Sequence, residues 1–91
     1  MYNWYSFPGD VDRAPSSEGV YLLSETNSED GIIYVGRADD LQERLSEHPD
    51  PQNSCLQRKD INYFTYEVTS DSERREGELI SRYDPECNRT D

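Results

Sequence analysis

The chain has 91 residues, 20 of them Asp or Glu against 9 Lys or Arg, a formal charge of −11 and an isoelectric point near 4.3. That length holds one domain. Only 16 residues are Leu, Ile, Val or Phe and the mean hydropathy is −1.08, a balance at which many chains stay unfolded.

Seven Tyr and one Trp oppose disorder, because large aromatic rings can build a small core where aliphatic residues are few. The longest apolar runs, Val20 to Leu23 and Ile32 to Val35, fall far short of the roughly 20 residues of a membrane span. The start, Met1-Tyr2-Asn3-Trp4-Tyr5, lacks the basic region of a secretion signal. A cytoplasmic protein with no membrane partner is expected. Cys55 and Cys87 have no Cys-x-x-Cys spacing and are expected as thiols rather than as a disulfide or metal pair. Eight of the nine bases are Arg and only Lys59 is Lys. Such an excess of carboxylates matches salt-adapted proteins, whose self-repulsion is screened at molar salt, where the Debye length is about 3 Å. An ordinary acidic surface is the alternative.

In chain order, residues 1–18 form a Tyr-, Pro- and Ser-rich stretch with turns at Pro8-Gly9 and Pro15-Ser16-Ser17. Strands are expected over Gly19 to Leu23 and Gly31 to Val35, joined by the wholly polar Ser24 to Asp30. Both strands are nearly continuous in apolar residues, so both of their faces should be covered. A helix follows, opened by Asp39 with Gln42 or by Asp40 with Glu43, buried through Leu41 and Leu45, and stopped after His48 by Pro49. A loop from Pro49 to Asp60 leads to a third strand, Ile61 to Val68, rich in aromatic and β-branched residues. A second helix is expected from a Ser70/Glu73 cap to about Tyr83, ending ahead of Pro85. The order β-β-α-β-α makes one α+β layer, a small sheet against helices.

Some residues do not fit a plain core. Glu76 stands three, four and seven positions before Leu79, Ile80 and Tyr83, which places it within about 60° of each on the apolar stripe, with Glu78 on the solvated side. An inward carboxylate is costly unless paired or metal-bound; a Glu at the stripe's edge that reaches water is the alternative. Arg37, Arg44 and His48 lie seven and four apart and on helical spacing project within about 40° of one another, a cationic line suited to a phosphate. Ordinary surface pairs with Asp40 and Glu47 would also explain these charges. Tyr21 and Tyr34 sit in the paired strands, where tyrosines are usually core. There is no nucleotide-binding glycine loop, and one His with two distant Cys does not make a zinc site.

Taken in order, Gly19-Val20-Tyr21, Tyr34-Val35-Gly36, Arg37, Arg44, His48, Glu76-Gly77-Glu78-Leu79-Ile80 and Pro85-Glu86-Cys87-Asn88 resemble the GIY-YIG endonuclease pattern over roughly Gly19 to Asn88. The run Tyr34 to Leu45 is similar to the amino-terminal nuclease domain of the excision-repair incision subunit. The resemblance implies a three-stranded antiparallel sheet flanked by helices and an endonuclease that hydrolyses DNA with one divalent metal, Mg²⁺ or Mn²⁺. It implies Glu76 as the metal ligand, Arg44 as the main phosphate-stabilising group and Tyr21 and Tyr34 as the paired motif tyrosines. Arg37, His48 and Asn88 complete the implied site. A targeting partner protein is also expected, and a catalytically inactive binding module of the same fold is the rival function. Such chemistry needs water deprotonated near neutral pH and charge stabilised on the phosphate oxygens. Tyr34 is favoured over Tyr21 as the water-activating phenol, its pKa lowered by the metal and guanidiniums. The acidic balance departs from a DNA-gripping surface.

Overall fold

A computed structural model describes residues 2–48 and 52–89. Four strands, β1 (Tyr5–Ser6), β2 (Gly19–Ser24), β3 (Ile32–Ala38) and β4 (Tyr63–Val68), form one antiparallel sheet in the order β1-β4-β2-β3. The three expected strands are its body. The two-residue β1 is an addition, docked on β4 by pairing Tyr5 with Phe64; it is too short to carry a periodic signal.

Central β2 is buried along its whole length, which explains its unbroken apolar run. Alternate residues then divide between two cores. On one face Tyr21, Leu23 and Phe64 pack with Leu41 and Leu45 of α1 (Leu41–Ser46) and Leu56 of α2 (Ser54–Gln57). On the other, Val20, Leu22 and Val35 meet Leu79 of α3 (Ser72–Tyr83), with Tyr2 and Trp4 at the margin. The N-terminal aromatics thus supply core that the aliphatic residues could not.

Helix boundaries follow their caps. Asp40, not Asp39, caps α1, accepting the Glu43 backbone N–H at 3.1 Å. The helix ends at Ser46, short of His48; the expected stop at Pro49 lies outside the described residues. The stretch expected as loop contains α2, whose cap Asn53 accepts from the Leu56 N–H at 3.1 Å. The Ser70/Glu73 cap does not form. Thr69 Oγ1 instead accepts the Asp71 N–H at 3.1 Å, a local turn that delays α3 to Ser72. The helix closes at Asp84, left-handed at φ 43°, ahead of Pro85.

The cysteines are also corrected. Cys55 of α2 and Cys87 of the 3₁₀ turn Glu86–Asn88 form a disulfide across 5.4 Å between Cα atoms. Sequence spacing carries no information about a pair brought together by tertiary folding.

Candidate active site

The site gathers at the outer edge of β3, an edge strand of the sheet. An edge strand leaves backbone groups without a ladder partner, and here side chains take them. The Asn88 amide both donates to the Val35 carbonyl and accepts from the Val35 N–H, each at 2.8 Å. Two residues on, Arg37 lies close enough to the Glu76 carboxylate for its charge to act on it. Asn88 fixes its 3₁₀ turn to this strand.

On the α1 face Tyr21 lies opposite Gly36 across the β2–β3 pair. A Cβ at Gly36 would occupy the Tyr21 phenol, so glycine there makes room for the ring. Tyr21 and Tyr34 rings lie 6.2 Å apart, and His48, just past α1, lies 5.2 Å and 5.8 Å from them. Tyr21 Oη meets His48 Nε2 at 2.6 Å. Burial pushes the Tyr21 phenol well above its ordinary pKa, Tyr34 and Glu76 add to the rise, and hydrogen bonding and charge from Arg44 offset only part of it. Arg44 thus lowers the Tyr21 pKa, as expected of a guanidinium, and desolvation outweighs it.

Arg37 corrects another expectation. It belongs to β3, so helical spacing does not carry from it to Arg44, and it does not line up with Arg44 and His48. Its Nε donates to Ser72 Oγ at 3.0 Å and its guanidinium pairs with Asp39 at 3.0 Å. Ser72, buried at the start of α3, donates in turn to Glu18 at 2.6 Å. Neither Ser72 nor Glu18 was singled out by sequence, since their link spans 54 positions and has no local signature.

Glu76 is half-buried on α3, as its place on the stripe predicts, while Glu78 is exposed. Burial pushes the Glu76 carboxyl up; the Arg37 charge opposes this, Glu73 reinforces it, and the Arg37 N–H opposes it again, leaving a net rise. A carboxylate in that condition gains from a nearby cation. Among the described residues no group of three or more His, Cys, Asp or Glu could enclose a metal. One carboxylate suits Mg²⁺, which keeps most of its waters, and does not suit zinc. The sequence-derived residues are thus brought together in two parts, Tyr21, Tyr34, Arg44 and His48 on one face and Arg37, Glu76 and Asn88 along the edge.

Two tyrosines on one face of the sheet and an edge carboxylate beside a guanidinium are the groups this site offers. The GIY-YIG catalytic domain model matches residues 17–89, and the chain belongs to that family. It is similar to UvrABC system protein C of Methanosphaera stadtmanae (33% identical over 87 residues) and of Bacteroides thetaiotaomicron (34% over 87 residues), alignments covering 85% and 88% of this chain. The chain spans 14% of the length of each of these relatives. A crystal structure of the GIY-YIG N-terminal endonuclease domain of UvrC from Thermotoga maritima, bound to its catalytic magnesium, is similar at TM-score 0.73 and 26% identity, covering 89% of this chain and 93% of that one. Among the described residues no helix is long and apolar enough to cross a membrane.

Proposed function

We propose that this domain hydrolyses phosphodiester bonds in DNA with one divalent cation, Mg²⁺ or Mn²⁺, held by Glu76. The observation that carries this is the half-buried Glu76 carboxylate, short of positive charge, with Arg37 beside it and Tyr21 within electrostatic reach. When bound, the cation supplies Lewis-acid polarisation and neutralises charge on the leaving oxygen. Arg44, always charged, holds the non-bridging oxygens of the scissile phosphate. Tyr34, as phenolate, takes the proton of the attacking water at its Oη. It suits this better than Tyr21 because it borders an open cleft, whereas Tyr21 is fully buried and bonded to His48. His48 and Tyr21 hold one another and keep the Tyr34 ring in place. Arg37, oriented by Ser72, sits beside the carboxylate, and Asn88 fixes the strand edge.

The relatives are much longer than this chain, and a targeting partner protein fits a nuclease unit of this size. A cytoplasmic setting is part of the same proposal. The test is Mg²⁺-dependent cleavage of branched, single-stranded and double-stranded DNA in low and high KCl. Cleavage lost on adding EDTA supports the assignment; absence of cleavage of every substrate in both salts overturns it.

A further inference from the structure

Tyr34 and Asn88 border a cleft of about 690 Å³, within the range of roughly 300–1,000 Å³ that holds small ligands. One wall is α2 and the other the Glu86–Asn88 turn. The Cys55–Cys87 disulfide ties the walls together, and a 2.8 Å ion pair from Lys59 to Glu86 spans them again. A covalent and an ionic tie thus join its two walls.

Arg58 stands at the C-terminal end of α2 on this cleft. Among the described residues seven of the nine Lys and Arg side chains form ion pairs. Arg82 forms none, and its guanidinium lies over the Tyr83 ring at 5.4 Å. Arg58 has neither kind of partner there and is exposed. In a chain of 20 carboxylates, this exposed guanidinium, outside any ion pair though its charge reaches Glu86, stands on the cleft that Tyr34 borders and is a local exception to the acidic surface. A polyanion repelled by the molecule as a whole needs such a point of attraction.

We propose that this cleft seats the nucleotide adjoining the scissile phosphate, and that Arg58 binds that nucleotide's own phosphate. The ligand class is one phosphodiester unit of the nucleic-acid strand, with the guanidinium meeting two phosphate oxygens. The inference rests on the nuclease assignment and adds a position beyond the bond that is cut. Arg58 is a binding residue here, distant in role from the proton transfer at Tyr34.

The experiment is steady-state cleavage of a labelled oligonucleotide in Mg²⁺ at several KCl concentrations, with wild type, Arg58→Gln and Arg82→Gln compared. Arg82 is the control for loss of one exposed positive charge. Arg58→Gln should raise KM by about 5–10-fold, with kcat within about twofold. It should also flatten the dependence of log KM on log salt by about 0.7–0.9, one phosphate contact. Arg82→Gln should leave both as in wild type. A wild-type KM and slope in Arg58→Gln, or equal changes in both variants, overturns the subsite while wild-type cleavage upholds the nuclease assignment. If wild type itself cuts nothing, the nuclease assignment fails and the subsite falls with it.

Discussion

Glu67 and Glu76 are two half-buried carboxylates on the α3 side of the sheet, nine positions apart, and the fold treats them oppositely. Burial pushes Glu67 up, but hydrogen bonds from Arg75 (3.0 Å to each oxygen) and Tyr2 (2.6 Å) outweigh it, and its pKa falls below the ordinary value. Glu76 has the Arg37 charge and one backbone N–H against burial and Glu73, and its pKa rises. Glu67 is a satisfied structural anion joining the N-terminal segment, β4 and α3. Glu76 is left short of positive charge, the condition expected where an added cation completes a site.

The largest effect should come from exchanging the two. Glu76→Gln should lower Mg²⁺-dependent cleavage by on the order of 10³-fold. In EDTA its thermal midpoint should equal or exceed that of wild type, because a desolvated charge is removed. Glu67→Gln should do the reverse, keeping kcat within about threefold and losing about 1–3 kcal/mol in urea titration through its weakened bonds to Arg75 and Tyr2. Equal losses of activity in both variants would erase the distinction.

Tyr34→Phe should reduce kcat by about 10²-fold through loss of the proton acceptor. Tyr21→Phe should show a smaller loss of kcat and a larger loss of stability, about 1–3 kcal/mol, because buried His48 loses its 2.6 Å partner. Single-turnover rates and melting curves on both variants check the order.

Acid titration separates the carboxylates by sign. Glu67, lowered on folding, lends stability above the unfolded-state pKa near 4 that is lost as pH falls through its folded value. Glu76, raised on folding, favours the folded state below that unfolded value, and the benefit is lost as pH rises through its folded one. Stability of Glu67→Gln should accordingly fall less on acidification than that of wild type, and Glu76→Gln should fall more. Identical acid profiles for the two variants would count against the opposed shifts.

Smaller and more general is the effect of salt. With a charge of −11, the thermal midpoint should rise by several degrees between dilute buffer and molar KCl as self-repulsion is screened. A flat profile would remove the salt-adaptation proposal and leave an ordinary acidic surface.

What was legible in the sequence was what depends on local spacing. Glu76 shares an apolar stripe with Leu79 because both lie on one helix, and Asp40 reaches Glu43 because a cap acts over three residues. The continuous apolar runs of β2 and β3 reported that both faces are covered. Arg37 was misplaced by helical arithmetic applied across a strand-to-helix change. The Cys55–Cys87 bridge, the Glu18–Ser72–Arg37 chain and the pairing of β1 with β4 depend on residues distant in sequence. At Tyr21, residue types show which charges are nearby, and only the fold shows how much water has been removed.

The unneutralised state of Glu76 is tested most directly by NMR titration of its side-chain carboxyl, without metal and in saturating Mg²⁺. The expected result is a pKa above the ordinary glutamate range without metal that falls below it when Mg²⁺ is added, while Glu67 stays low in both. An ordinary Glu76 pKa that ignores Mg²⁺ would contradict it.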